Sequence, residues 1–170
     1  MTGLGPAIAG SLAMAAISTI GDFVWATWIP EHRAIYGLIH GTVLFLSLGL
    51  VLGVVTGRPL GGALGGAMVG VLGAAAYYVI SPFIGFSAML VVWFAVWIGL
   101  TVLYARLSGT RMVAGRAVIA AIASGLAFYS ISGIWRPFNP QGLDYAVHFA
   151  AWTLAFLPGF AALMVRSGTR

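Results

Sequence analysis

The sequence predicts an all-α integral membrane protein, a bundle of six transmembrane helices with both termini in the cytoplasm. Three observations support this class. Hydrophobic residues make up 61% of the 170 residues and charged residues only 6%, a balance that excludes a soluble globular domain. Six apolar stretches fill the chain, each of about 20 to 24 residues and therefore long enough to cross the hydrocarbon core. The third observation is the uneven placement of the charges between these stretches.

Most of the arginines fall on one side of the predicted bundle. If every stretch crosses once, that side also holds both termini, and it carries Arg58, Arg106, Arg111, Arg116, Arg166 and Arg170. The other side receives only Arg33 and Arg136, together with every acid and every histidine. Cationic loops stay in the cytoplasm because their translocation is costly, so both termini are expected there. Titratable groups then collect at the extracytoplasmic end.

The helices are expected to form a single domain over residues 1–170. Their predicted ranges are roughly 5–28, 35–56, 62–81, 85–105, 112–134 and 143–165. The first helix ends with Trp25, Trp28 and Pro30, an aromatic belt followed by a helix stop. Ser81-Pro82-Phe83 is expected to form the tight turn between the third and fourth helices.

The third helix is rich in glycine. Gly62, Gly66 and Gly70 recur every four residues, so one face carries no side chains and another helix can approach it closely. Packing within the bundle is the first interpretation. Self-association into a homo-oligomer through this helix is the alternative.

Composition also excludes several chemistries. Cysteine and lysine are both absent, which removes disulfides, thiolate nucleophiles and Schiff-base linkages. A pI near 10.3 is typical of nucleic-acid binding in soluble proteins. Here the arginines are dispersed over helix ends, so we expect the anionic inner leaflet, and no nucleic acid, as their partner. The sequence contains no recognisable catalytic motif, which favours binding over enzymatic activity without deciding between them. It identifies no soluble partner.

Asp22 is the residue that is most costly to place in a membrane. It lies four to five residues inside the predicted outer end of the first helix, and His40 lies at a similar depth in the second. We therefore expect these two side chains to be neighbours inside the bundle. Arg33, Arg136 and His148 are expected to complete the polar cluster, whose alternative role is to fix helix packing.

The histidines give little support for a metal or cofactor. No two of them stand three or four residues apart on one helix, so no metal site is expected. Haem b ligated by His40 and His148 from two helices remains the alternative, as part of a haem- or quinone-linked redox protein.

Aromatic side chains at helical spacing could line an apolar pocket beside this polar cluster. A bound lipid would then meet two groups of residues. Its headgroup is expected to contact Asp22, His40, Tyr129 and Trp135, and its apolar chains Phe45, Trp93, Trp97 and Phe128.

Several landmarks resemble the Insig (insulin-induced gene) family. They are His40-Gly41-Thr42, Arg58 with Leu60-Gly61, Ile98-Gly99-Leu100 with Arg106 and Ser108-Gly109, Ser132-Gly133-Ile134-Trp135, Asn139-Pro140, Tyr145 and the run to Arg166. The resemblance extends over most of the chain and implies a six-helix bundle that holds a sterol- or diacylglycerol-like lipid in an internal cleft. The compact loops indicate a bacterial member, in the inner membrane.

The chain also departs from this family. Animal members carry an aspartate just before the arginine that ends the fourth helix, where this chain has Ala105. Because that aspartate engages the family's sterol-sensing partner protein, the protein partners are not expected to carry over. The function predicted is non-catalytic lipid binding or lipid sensing. A membrane redox protein and an assembly subunit of a larger membrane complex remain as alternatives.

Overall fold

A computed structural model of the chain describes residues 3–29, 34–132 and 142–165, and these residues are helical apart from short turns and helix ends. The all-α class is confirmed for this part of the chain. The helices are α1 Leu4–Trp28, α2 Ala34–Thr56, α3 Pro59–Ile84, α4 Ala88–Ser108, α5 Ala114–Ser132 and α6 Leu143–Met164, with a 3-10 turn at Gly85–Ser87.

The outer surface of the helices is as apolar as their packed faces, which indicates a lipid environment. Leu60, for example, leaves 71% of its surface exposed. Among the described residues, five helical stretches are long and apolar enough to cross a membrane. One of them, Pro59–Ser108, spans 50 residues and contains both α3 and α4. Six crossings with cytoplasmic termini therefore stay a prediction.

The turn between α3 and α4 lies later than the sequence predicts. The prediction placed it at Ser81-Pro82-Phe83, but α3 continues through Pro82 to Ile84. Pro82 sits in the last turn of α3, where its missing N–H removes only one helical hydrogen bond. The chain reverses at Gly85, whose φ of 60° is readily adopted only by glycine. At its other end, α3 begins at Pro59, three residues before the predicted start, because proline suits the first helical turn.

The helices pack in chain order as antiparallel neighbours, and α1 closes the ring against α6. Contacts between α3 and α4 illustrate the register: Gly65 faces Leu103, and Gly73 faces Val96. Helix α4 lies nearest the middle, because it also packs against α2 and α6. Trp97 and Leu100 of α4 are fully buried there, together with Phe156 and Phe160 of α6.

Helices α2 and α3 meet backbone to backbone. A Cβ atom placed on Gly66 would collide with the carbonyl oxygen of Phe45 and lie 2.8 Å from the Cα of Gly49. Gly62 and Gly70 face α2 in the same way. The predicted glycine face thus packs within the chain. Self-association through α3 stays a prediction, and it would have to use another face of that helix.

The described charges separate to the two ends of the bundle. One end carries Arg58, Arg106, Arg111 and Arg116, at the junctions between α2 and α3 and between α4 and α5. The opposite end carries Asp22, His40, Asp144 and His148, and we call it the histidine end. This separation agrees with the charge pattern from which the topology was predicted.

Candidate functional site

Asp22 is the centre of a polar cluster at the histidine end. Its Oδ2 atom lies 2.6 Å from Nε2 of His148 and 2.8 Å from the indole nitrogen of Trp152, both on α6. Its Oδ1 atom lies 3.4 Å from Nε2 of His40 on α2. One carboxylate therefore joins three helices, and we call Asp22, His40, His148 and Trp152 the Asp22 cluster.

The distances within the cluster restrict how its hydrogen bonds are arranged. A separation of 2.6 Å between Oδ2 and Nε2 of His148 requires a proton between the two atoms. The indole nitrogen of Trp152 can only donate. With Asp22 ionised, the arrangement that fits these distances has Nε2–H of His148 and Nε1–H of Trp152 both donating to Oδ2. The 2.9 Å between the two nitrogens then separates two donors to the same oxygen.

Helical spacing brings these residues together. Asp22 lies six residues before the end of α1 and His40 six residues after the start of α2, so each is about 9 Å from its helix end. His148 and Trp152 are four residues apart and therefore share one face of α6. Because α6 runs antiparallel to α1, that face reaches the depth of Asp22.

Burial differs across the cluster. The side chain of His148 is only 3% exposed, whereas Asp22 and His40 are 20% and 30% exposed. His148 thus contacts the carboxylate of Asp22 from the side that faces the protein core. Asp22 and His40 present the open side of the cluster.

That open side forms one wall of a cavity of about 340 Å³. Every helix contributes to the lining, and most of it is apolar. The cavity is lined by Asp22, Gly37, His40, Gly41, Leu44, Phe45, Gly73, Ala74, Tyr77, Tyr78, Met89, Val92, Trp93, Phe128 and Trp152. The site is therefore an apolar cavity with one polar wall and is partly open to the surroundings of the bundle.

Packed aromatic rings form part of the cavity wall. The rings of Trp93 and Phe128 stack with centroids 4.1 Å apart, and Phe45 and Trp152 lie 5.8 Å and 6.0 Å from Trp93. The indole N–H of Trp93 is buried and has no hydrogen-bond partner among the described residues. Such a donor is usually satisfied in a folded protein, so the cavity wall contains an unused polar group.

Most of the predicted lipid contacts lie at this cavity. Asp22, His40, Phe45, Trp93 and Phe128 all line it. Asp22 and His40 are neighbours, as the sequence predicts. His148 belongs to the cluster but stands behind Asp22, outside the lining.

Two predicted contacts lie elsewhere. Trp97 does not line the cavity, because it sits about one helical turn deeper than Trp93 and fills the space that Gly159 leaves on α6. Tyr129 follows Phe128 by one residue, so it points away from the cavity and is exposed beside Phe86.

Three further predicted residues, Arg33, Trp135 and Arg136, lie outside the described residues. Their place in the headgroup site or the polar cluster stays a prediction.

The predicted contacts do not include Trp152, Tyr77, Tyr78 and Met89, which also line the cavity. Trp152 could have been found, because it stands four residues after His148 and so shares its helix face. The tyrosines of α3 carry no such signal. Tyr78 enters the lining because Gly37 leaves room for its hydroxyl group, a fit that depends on how α2 and α3 pack.

The cluster is a poor fit to a haem or metal site. Nε2 of His40 and Nε2 of His148 both face Asp22, so the carboxylate occupies the place between them that an iron would need. Within the described ranges, no three His, Asp or Glu side chains are arranged to hold a metal ion. Haem ligation by this pair would require the Asp22 cluster to open.

A double-mutant cycle tests the bond from Trp152 to Asp22. The variants Asp22→Asn, Trp152→Phe and the double variant are compared by thermal unfolding. Each single substitution already disrupts this hydrogen bond to a charged group, so the double variant should be less destabilised than the sum of the two single variants. The expected coupling energy is about 1–2 kcal/mol. The matched cycle uses Trp93→Phe, because the Trp93 N–H does not bond Asp22. That cycle should be additive. Equal coupling in both cycles would contradict the network.

No protein-family model, no curated protein and no solved structure matches this chain.

Proposed function

We propose that this chain is a non-catalytic, lipid-binding or lipid-sensing membrane protein that holds an amphipathic lipid of sterol- or diacylglycerol-like chemistry in the cavity at the histidine end. The observation that carries this proposal is the combination of an aromatic, mostly apolar cavity with a polar wall made by Asp22 and His40. Ligand sites are commonly built this way, with an apolar lining and a few polar groups that orient the ligand.

The size of the cavity supports partial enclosure of the lipid. Its volume of about 340 Å³ is roughly twice that of a protein cavity that holds one benzene molecule. This volume suits a headgroup and the adjoining part of an apolar body. The remainder of a larger lipid would leave through the open side of the cavity and lie against the apolar outer surface.

The hydrogen bonds within the Asp22 cluster support a binding role. The short bonds from His148 and Trp152 engage Oδ2 of Asp22. Nε2 of His40 also faces the carboxylate, which leaves this ring nitrogen poorly placed to act as a base on a ligand. The cluster thus resembles a fixed hydrogen-bonding wall.

The cellular setting is part of the same proposal. The concentration of Arg58, Arg106, Arg111 and Arg116 at the end opposite the histidine end supports an inner-membrane protein with cytoplasmic termini. A bacterial, Insig-like identity rests on the sequence landmarks named above. The ligand would then sit in the extracytoplasmic half of the bilayer.

Replacing Asp22 tests the headgroup role. Asp22→Asn is expected to keep the helical circular-dichroism spectrum but to lower the retention of the co-purified lipid by about 10- to 100-fold, because a charge-assisted hydrogen bond is worth about 1.5–3 kcal/mol. Bound lipid is quantified by mass spectrometry after extraction of the purified protein.

Asp144→Asn is the matched control. Asp144 lies in the first turn of α6 at the same end of the bundle, but it does not line the cavity. This variant should retain lipid as the unmodified protein does. A lipid load in Asp22→Asn equal to that in Asp144→Asn would refute the headgroup role.

A further inference from the structure

The two oxygens of Asp22 are used unequally. Oδ2 accepts two short hydrogen bonds, from His148 and Trp152. Oδ1 has a single neighbour among the described polar side chains, Nε2 of His40 at 3.4 Å, which is longer than a normal hydrogen bond to a carboxylate. Since a carboxylate offers about four acceptor positions, Oδ1 retains acceptor capacity.

This capacity is available to a molecule in the cavity. Asp22 lines the cavity and is 20% exposed, although it sits about 9 Å inside α1. The two donors on α6 hold Oδ2 and so fix the direction of the carboxylate. His148 and Trp152 therefore act as positioning residues for Oδ1.

An acceptor of this kind needs a donor on the ligand. A hydroxyl group supplies one, whereas an ether or an ester of the same lipid does not. A phosphate or carboxylate headgroup would bring a second negative charge beside Asp22, which is unfavourable at low dielectric. Resting on the proposed function, we infer that the cavity recognises a free lipid hydroxyl, which donates to Oδ1 of Asp22, and thereby distinguishes a lipid alcohol from its ester, ether or phosphate.

This selectivity gives the ligand a place in a reaction sequence. Hydrolysis of a lipid ester or of a phosphate monoester releases the free hydroxyl that the site accepts. Acylation or phosphorylation of that hydroxyl removes it. Occupancy of the cavity would thus report the balance between these two classes of reaction.

Matched pairs of lipids test the inference on the full-length protein. The probes are cholesterol with its 3-O-methyl ether, and 1,2-dioleoylglycerol with its 3-O-methyl ether, titrated into the delipidated protein in phosphatidylcholine nanodiscs. In whichever pair binds, the alcohol is expected to bind about ten-fold or more tightly than its ether. The pair that binds also identifies the apolar body that carries the hydroxyl group.

The outcomes separate the two proposals. Equal affinities for an alcohol and its ether would overturn the hydroxyl inference and leave lipid binding intact. Saturable binding of neither pair would overturn both. The Asp22→Asn variant serves as a second check, because its alcohol-to-ether ratio should fall to about three-fold or less. An undiminished ratio in this variant would remove Oδ1 from the recognition.

Discussion

Replacing Gly66 by alanine is expected to destabilise the bundle by about 3 kcal/mol or more. A Cβ atom at this position meets the Phe45 carbonyl and the Cα of Gly49, which are backbone atoms of α2. Backbone atoms cannot rotate away as a flexible side chain can. The helices would have to separate, which costs at least as much as overpacking a core.

The melting temperature of the purified protein in mild detergent measures this effect. Gly115→Ala is the matched control, because Gly115 is helical and has no atom near its Cβ position. Alanine there should be neutral or stabilising by up to about 1 kcal/mol, since it favours the helix. Gly66→Ala with a melting temperature equal to that of Gly115→Ala would contradict the close contact between α2 and α3.

Filling the cavity is expected to displace the bound lipid. Leu44 lines the cavity, so Leu44→Trp places an indole ring in it. An aromatic ring takes up a large part of the cavity volume of about 340 Å³. The amount of co-purified lipid should therefore fall about ten-fold or more. Overpacking could also cost about 1–3 kcal/mol of stability, so the melting temperature must be recorded in parallel.

Leu46→Trp is the control for this experiment. It lies two residues further along α2, where the side chain is exposed on the outer surface of the bundle. A tryptophan there adds the same ring without entering the cavity, and the lipid load should be unchanged. Equal lipid loads in the two variants, with both folded, would place the ligand somewhere other than the cavity.

The helical class could be predicted from the sequence because it depends on local properties. Runs of about 20 apolar residues separated by charged or glycine- and proline-containing links place each helix to within a few residues. The turn after α3 was misplaced because a proline near a helix end can be read in two ways. It either stops the helix or sits in its last turn, and the freedom of Gly85 decided between them.

The candidate site could be predicted only in part. Asp22 and His40 were found because their depths match and the cost of a carboxylate in a membrane demands a partner. His148 and Trp152 lie closer to Asp22 than His40 does. This difference depends on how α6 is rotated against α1, which is set by packing between distant parts of the chain. Helix packing also decides that Trp93 lines the cavity while Trp97 lies in the core.

The cavity at the histidine end is expected to hold a lipid, and a native mass spectrum of the protein released from mild detergent tests this most directly. We predict one neutral, hydroxyl-bearing lipid retained per chain, and its loss in Leu44→Trp but not in Leu46→Trp. A folded protein that carries no small molecule, or one that carries a haem, would contradict the claim.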